Sequence, residues 1–393
     1  MAGTFQLGLN MLGPLLPLAA MQDQAGALGV GLAVGAAGFM PLIFAIPAGA
    51  WAERLGPRRV VVPSVLFMLA GTLLMAFNQH LGALAAGQVL KGFGQYGATL
   101  GLQAYVANLP GPRSRNETFA VFGIANSVGG LLGPVLAGVL ADAAGLRSGF
   151  AAATVVVAMS LLGALALDRR LGAGSDAANG MAVGRTVRQV LRDPVVGLSL
   201  GSTAAILFTD SMSTSFLPVF LQQAGLSVAT IGLLISLRGL ASLTVRPTIG
   251  VLARGMDRWR LVLAAMAAEA VGTAVVPILP VMPVLVVASL LCGVATGYNQ
   301  PLGMAIVADR VPRAQRSTAL ALRLGGNRLA GLLGPLAFGA VAAGLGLPAT
   351  FWFAGAMAAV SGLWVAGFQR RGGEAAAESW PWSGSEAAVK STD

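Results

Sequence analysis

Gly130-Leu131-Leu132-Gly133-Pro134 recurs as Gly331-Leu332-Leu333-Gly334-Pro335, 201 residues later in a chain of 393. At the same offset Asn126 falls on Asn327 and Gly138 on Gly339, while Gly49, Ala52, Arg59, Leu90 and Gly92 fall on Gly250, Ala253, Arg260, Leu291 and Gly293. Isolated apolar identities mean little in a chain so rich in Gly, Ala and Leu. A shared five-residue block with flanking Asn and Gly means a good deal, and it marks a tandem duplication. Each copy lies inside one of twelve apolar stretches, near 3–21, 28–51, 59–77, 81–106, 117–141, 149–167, 196–221, 229–253, 260–278, 283–307, 318–343 and 349–368. Each stretch is close to the roughly 20 residues that a helix needs to cross a bilayer.

The polar gaps between the stretches set the orientation. Nineteen of the 25 Lys and Arg residues lie in every second gap or in the tail, and the remaining gaps hold only Arg147. That is the positive-inside pattern, and it puts both termini and every basic loop in the cytoplasm. The first stretch lacks a small-residue cleavage site and reads as a retained span. The widest interior gap is rich in Gly, Ala, Ser and Arg. It divides the chain into a bundle over 1–167, a cytoplasmic linker over 168–194, a second bundle over 195–369, and a tail over 370–393 whose composition predicts disorder. Six spans per half, each half starting and ending inside, make a parallel repeat about an axis along the membrane normal. The expected fold is all-α: 12 transmembrane helices in two pseudo-symmetric six-helix bundles.

Composition excludes the competing classes. With 56% hydrophobic residues, 10% charged residues and a mean hydropathy of +0.77, the chain cannot be a soluble globule of this size. The net charge of +10 is spread through short loops as an orientation signal, so nucleic acid is not an expected partner. A single cysteine, Cys292, inside an apolar stretch forbids an intrachain disulfide or a cysteine-cluster metal site. No metal or cofactor is expected. The lone histidine, His80, falls in an external loop, and no His-Glu-x-x-His or serine–histidine pair sits within the spans, which argues against intramembrane hydrolysis.

The loop after span 2 reads Gly49-Ala50-Trp51-Ala52-Glu53-Arg54-Leu55-Gly56-Pro57-Arg58-Arg59. It resembles the major facilitator superfamily signature Gly-x-Leu-Ala-Asp-Arg-x-Gly-Arg-Arg/Lys, in the loop where that family carries it. Glu53 stands for Asp, Trp51 for Leu and Pro57 for the first basic position. The glycines permit a tight turn against neighbouring helices, while a carboxylate and guanidinium groups can pair across a cytoplasmic gate. The resemblance therefore implies a gate motif of Gly49, Glu53, Arg54, Gly56, Arg58 and Arg59. The alternative is that the arginines only orient the chain. Span 5 carries Gly129-Gly130-Leu131-Leu132-Gly133-Pro134-Val135-Leu136-Ala137-Gly138, which looks like the Gly-x-x-x-Gly-Pro-x-x-Gly-Gly motif of proton-coupled exporters in that superfamily. Gly129, Gly133, Pro134 and Gly138 would pack closely against a partner or act as a hinge. The copy in span 11 points equally to pseudo-symmetric packing. Span 4 departs from the family: where such exporters carry an arginine, this chain has Gln88, with Lys91 one turn further along.

An ionisable side chain at mid-bilayer depth costs at least ~2.5–3.5 kcal/mol and asks for a partner or a wet cavity. Asp210 in span 7 and Glu269 in span 9 are the two deep acids; the bases are Lys91, Arg238, Arg246, Arg323 and Arg328. Gln88, Lys91, Gln95, Thr99 and Gln103 recur at steps of three and four and draw a polar face on span 4. Arg238, Ser242 and Arg246 do so in span 8, and Arg323 with Asn327 in span 11. In the superfamily spans 1, 4, 7 and 10 line the cavity. The resemblance thus places Lys91, Gln95, Asp210, Tyr298 and Asn299 near the path, with Asn10 as the approximate counterpart of Asp210. Gln88, Arg238, Arg323 and Asn327 complete the candidate cavity set. Asp210 reads as a proton-coupling group or as a structural partner of Arg238 or Arg323. Glu269, on an outer helix, reads first as a structural partner of a span 8 arginine and second as a coupling group.

These features and the resemblance predict a permease of the cytoplasmic membrane that moves a small organic molecule by alternating access, with membrane lipid and protons as its other expected partners and a monomer as its expected assembly. Export by proton antiport follows from the span 5 motif. The excess of cations over acids in the interior favours the alternative, proton-coupled uptake of a small organic anion such as a carboxylate. A transport-dead receptor is the remote alternative, and it would need a soluble appendage that is not seen here.

Overall fold

The structure, a computed structural model, describes residues 1–39, 56–107, 115–168, 193–311 and 316–370. All regular elements among them are helical. In chain order they are α1 (Ala2–Gln22), α2 (Gly26–Gly35), α3 (Pro57–Phe77), α4 (Leu81–Ala107), α5 (Arg115–Ala144), α6 (Leu146–Leu165), α7 (Pro194–Gln223), α8 (Val228–Val245), α9 (Arg258–Val275), α10 (Met282–Arg310), α11 (Arg316–Leu345) and α12 (Leu347–Arg370). Helix α8 is continued through a tight turn at Arg246–Thr248 by a short α8′ (Ile249–Gly255). Pro247 accounts for that break, because it removes a backbone donor and clashes with the preceding turn. Helix α10, by contrast, runs unbroken through Pro301, as membrane helices allow when neighbours take up the freed carbonyl.

Among the described residues, eight helices are long and apolar enough to cross a membrane: α3, α5, α6, α7, α8 with its continuation, α10, α11 and α12. The polar residues of α1, α4 and α9 dilute their hydropathy. Gln6 and Asn10 do so in α1, Gln88, Lys91, Gln95 and Gln103 in α4, and Arg258, Arg260 and Glu269 in α9. Helices that line a wet interior or carry a buried charge are expected to pay this way in apolar content.

Two compact units form. The described residues of the first fall within Met1–Ala178, Ser211–Leu240 and Gly331–Thr350, and those of the second within Asn179–Asp210, Ala241–Ala330 and Phe351–Asp393. In the first, α4 presents Gly87, Gly94, Gly97 and Gly101 to α3, so close that an added Cβ would meet Gly71, Ser64, Met68 or Val61. Small residues let membrane helices approach in this way when lipid supplies no hydrophobic drive between them. Phe5, Val61, Val65, Met68, Ala98, Leu102, Val157 and Ala164 fill the interior of α1, α3, α4 and α6. In the second unit, Leu198, Ile206, Val262, Met266, Leu302 and Val365 form the corresponding core.

Acids at two turns tie helices of the first unit together. Asp23, after α1, accepts the Leu81 N–H at the start of α4 (2.7 Å) and faces His80 Nδ1 (2.8 Å). The Leu81 hydrogen bond, and then His80, hold the Asp23 carboxyl below its ordinary value of 3.8. A carboxylate whose folded-state pKa is depressed stabilises the fold above its unfolded pKa, and that stability is lost as pH falls through the folded value. Asp23→Asn is therefore expected to lower the melting temperature in detergent at pH 7, with the gap to wild type closing below about pH 4. A gap that persists unchanged at acid pH would show that the carboxylate charge plays no part.

Candidate functional site

The repeated block is where the two halves of the sequence meet. An added Cβ on Gly232 of α8 would overlap the Pro134 carbonyl of α5, and one on Gly31 of α2 would overlap the Pro335 carbonyl of α11. Gly31 and Gly232 are themselves 201 residues apart, as are Pro134 and Pro335. The relation continues one turn on, where Gly138 lies against Val228 and Ala229, and Gly339 against Ala27 and Leu28. All of these residues belong to the first unit. The seam is thus made of two symmetry-related glycine contacts, each bringing the backbone of one half against a proline carbonyl of the other.

The two contacts differ in polar chemistry. On the α5–α8 side, the Ser236 hydroxyl donates to the Leu131 carbonyl (2.6 Å), and Asp142 accepts the Val228 and Ala229 N–H groups (2.9 and 2.8 Å). Asp142 thereby caps the first turn of α8 with a carboxylate at the positive end of the helix dipole. At the equivalent places on the α2–α11 side stand Gly35, which abuts the Leu332 carbonyl, and Ala343. Gly129 and Gly133 face inward instead, against Gly3, Leu7, Asn10 and Met11 of α1. Asn10 donates to the Gln6 carbonyl (2.8 Å) and lies over Gly130 and Gly133, so its side chain is engaged at the α1–α5 contact.

Of the loop motif, Gly49, Glu53 and Arg54 lie outside the described residues. Gly56 has φ 84° and ψ 152°, a conformation open essentially to glycine alone, and it turns the chain into α3. Arg58 Nη1 donates to the Leu167 carbonyl just past α6 (3.0 Å), where a cation meets the negative end of a helix. Arg59 is exposed.

On α4, Gln88 is 2% exposed, and Lys91 and Gln95 are half-buried. Gly92, on the adjoining face, packs against Ala37 after α2. Also in the first unit, Arg238 is half-buried on α8. In the second unit a polar contact joins α7 and α10. The Ser199 hydroxyl donates to the Gly303 carbonyl (3.2 Å), and Asn299 Nδ2 donates to the Ser202 carbonyl (3.4 Å). Asn299 Oδ1 and Thr203 Oγ1 are buried without a hydrogen-bond partner among the described residues. Tyr298 shares a hydrogen bond with Thr248 at the α8 break (2.7 Å). Asp210 is half-buried on α7, Glu269 fully buried on α9 and Asn327 half-buried on α11. The Arg323 side chain lies outside the described residues.

The polar capping roles of Asp23 and Asp142 were not anticipated from sequence. A signal was present, since these are the only acids in the gaps that the charge pattern assigns to the outside.

The family model described as Major Facilitator Superfamily matches residues 1–227 and 200–384. An MFS-type transporter of Metarhizium rileyi is 33% identical over 131 residues, which are 33% of this chain and 27% of that protein. The inner membrane transport protein YajR of Escherichia coli is 28% identical over 136 residues, 33% of this chain and 29% of its own length. The tetracycline resistance protein, class C, of Escherichia coli is 32% identical over 162 residues, 40% of each chain. This chain thus spans well under half the length of the curated relatives it matches. Two solved structures share the fold over nearly the whole chain. The nucleoside transporter NupG has a TM-score of 0.74 at 15% identity, covering 93% of this chain and 98% of that one. A bacterial homolog of the human lysosomal transporter Spinster has 0.69 at 16% identity, covering 93% of each.

Proposed function

The chain belongs to the major facilitator superfamily, and from that premise we propose that it is a secondary active transporter exporting a small organic molecule across the cytoplasmic membrane in exchange for protons. The halves 1–167 and 195–369 rock about a central site, joined by the linker 168–194, with the tail 370–393, both termini and the basic loops in the cytoplasm. The observation that carries the reading is the paired seam. Gly31 against Pro335 and Gly232 against Pro134 close the two halves on each other at the end assigned to the outside, as one of two alternating states requires. Export draws support from the span 5 motif and from relatives named for tetracycline and multidrug resistance. Asp210 is the proposed proton carrier, with Glu269 as second candidate. The interior cations Lys91, Arg238, Arg323 and Arg328 outnumber these acids and favour a second reading, proton-coupled uptake of an organic carboxylate.

Everted vesicles with an acid lumen separate the two. Under antiport, adding ethidium, tetracycline or salicylate outside releases lumenal protons and restores the fluorescence of a pH-gradient dye. Under symport, salicylate instead accumulates in right-side-out vesicles placed in acid medium. No response to any probe in either format defeats both readings.

A further inference from the structure

We infer that Lys91 and Gln88 of α4 form a binding site for a small organic anion that carries a hydrogen-bond donor beside its carboxylate. The inference rests on the transport reading above and names a substrate class for it. Successive residues of a helix turn by about 100°. Gly87 and Gly94 fix the direction of α3, and Gly92, about 140° from Gly87, fixes that of α2 and its following turn. Lys91 and Gln88 lie about 40° and 100° from Gly87, on the arc between these two packed faces. Gln95 shares that arc. The opposite arc carries Val89, Phe93 and Leu100, the side fit for lipid. The polar arc therefore faces the interior of the bundle.

Two features make this arc a site rather than a packed polar face. Gln88 is 2% exposed, yet its Oε1 meets no hydrogen-bond donor among the described residues. Lys91 is half-buried mid-helix, and no described residue forms a salt bridge with it. A half-buried cation at membrane depth and a buried orphan acceptor are each costly alone, and the two stand on adjacent turns with Cβ atoms about 5–6 Å apart. A ligand that satisfies both presents an anionic acceptor to the ammonium and a donor to the amide oxygen. A 2-hydroxycarboxylate has that arrangement. A permanent cation, as in many exported dyes, would face Lys91 with like charge.

The full chain in phosphatidylcholine nanodiscs, free of anionic lipid, is tested with radiolabelled salicylate, whose carboxylate and hydroxyl are adjacent, and with benzoate, which lacks the hydroxyl. Lys91→Gln is expected to weaken salicylate binding at least about tenfold, the scale of losing one charged hydrogen bond, while Lys91→Arg binds close to wild type. Gln88→Leu is expected to weaken salicylate and leave benzoate unchanged. Wild-type nanodiscs that do not hold salicylate at millimolar concentration, or a Lys91→Gln protein that binds it as wild type does, overturn the site. Binding is read at equilibrium without a gradient, so proton coupling plays no part. Vesicles that extrude ethidium while nanodiscs fail to hold salicylate sink the anion site alone. Salicylate bound without movement of any probe sinks the transport reading alone.

Discussion

Asp210→Asn is expected to lower gradient-driven transport by on the order of 10²-fold or more, the scale of a positioned proton-transfer group, while substrate exchange without a gradient stays partly intact. Asp210 is the sole acid of α7, a helix otherwise rich in hydroxyls. Next to it, Thr209 donates to the Ala205 and Ala354 carbonyls (3.1 and 3.4 Å). On its other side, Thr214 and Ser215 donate to the Ser211 carbonyl (3.1 and 2.7 Å). Those hydroxyls are occupied by backbone acceptors within α7 and, for Thr209, on α12. Asparagine keeps the shape and the hydrogen-bonding atoms but cannot carry a proton. Counterflow of ethidium or salicylate in proteoliposomes with and without an imposed pH gradient reads the two activities separately. Equal loss of both would assign Asp210 a structural role and return the coupling question to Glu269.

Gly232→Val carries the second large effect. Its side chain would have to enter the space of the Pro134 carbonyl and the Val135 Cα, and backbone on both sides cannot move aside cheaply. Overpacking of this kind costs roughly 1–3 kcal/mol, enough to shift a two-state balance about 5- to 150-fold away from the closed seam. A cysteine placed at Ser236, beside the seam, with Cys292 replaced by serine, should then react with an impermeant maleimide at least about tenfold faster than in the glycine background, and active transport should fall in step. Gly31→Val should behave alike, because it meets the Pro335 carbonyl at the equivalent position. Gly239→Val, on the same helix α8 but with open space around it, is the control. If Gly232→Val and Gly239→Val change labelling and transport equally, the glycine contact does not govern closure.

The spans, their number and their duplication were legible because hydropathy and a five-residue repeat are long-range averages that one substitution does not erase. The partners of Gly129, Gly133, Pro134 and Gly138 were not legible in the sequence. Gly31 and Gly232 are two of 54 glycines, and nothing local separates them from the rest. The same limit applies to Arg58. Its basic character reads as orientation, and only the fold brings it to the Leu167 carbonyl 109 residues away. Asn10, which the resemblance made the approximate counterpart of Asp210, has neighbours that the sequence did not indicate, Gly130 and Gly133 of α5. The α8 break at Arg246 follows from Pro247, yet α10 stays intact through Pro301, so a proline by itself does not say where a membrane helix breaks.

The repeat supplies two copies of the closure, and they are unlike. Ser236 and Asp142 fix the axial registry of one copy through hydrogen bonds, and at the equivalent places of the other stand Gly35 and Ala343. The α5–α8 copy is fastened by hydrogen bonds, and the α2–α11 copy rests on glycine packing. On parting, the α2–α11 contact is expected to give way before the hydrogen-bonded α5–α8 contact.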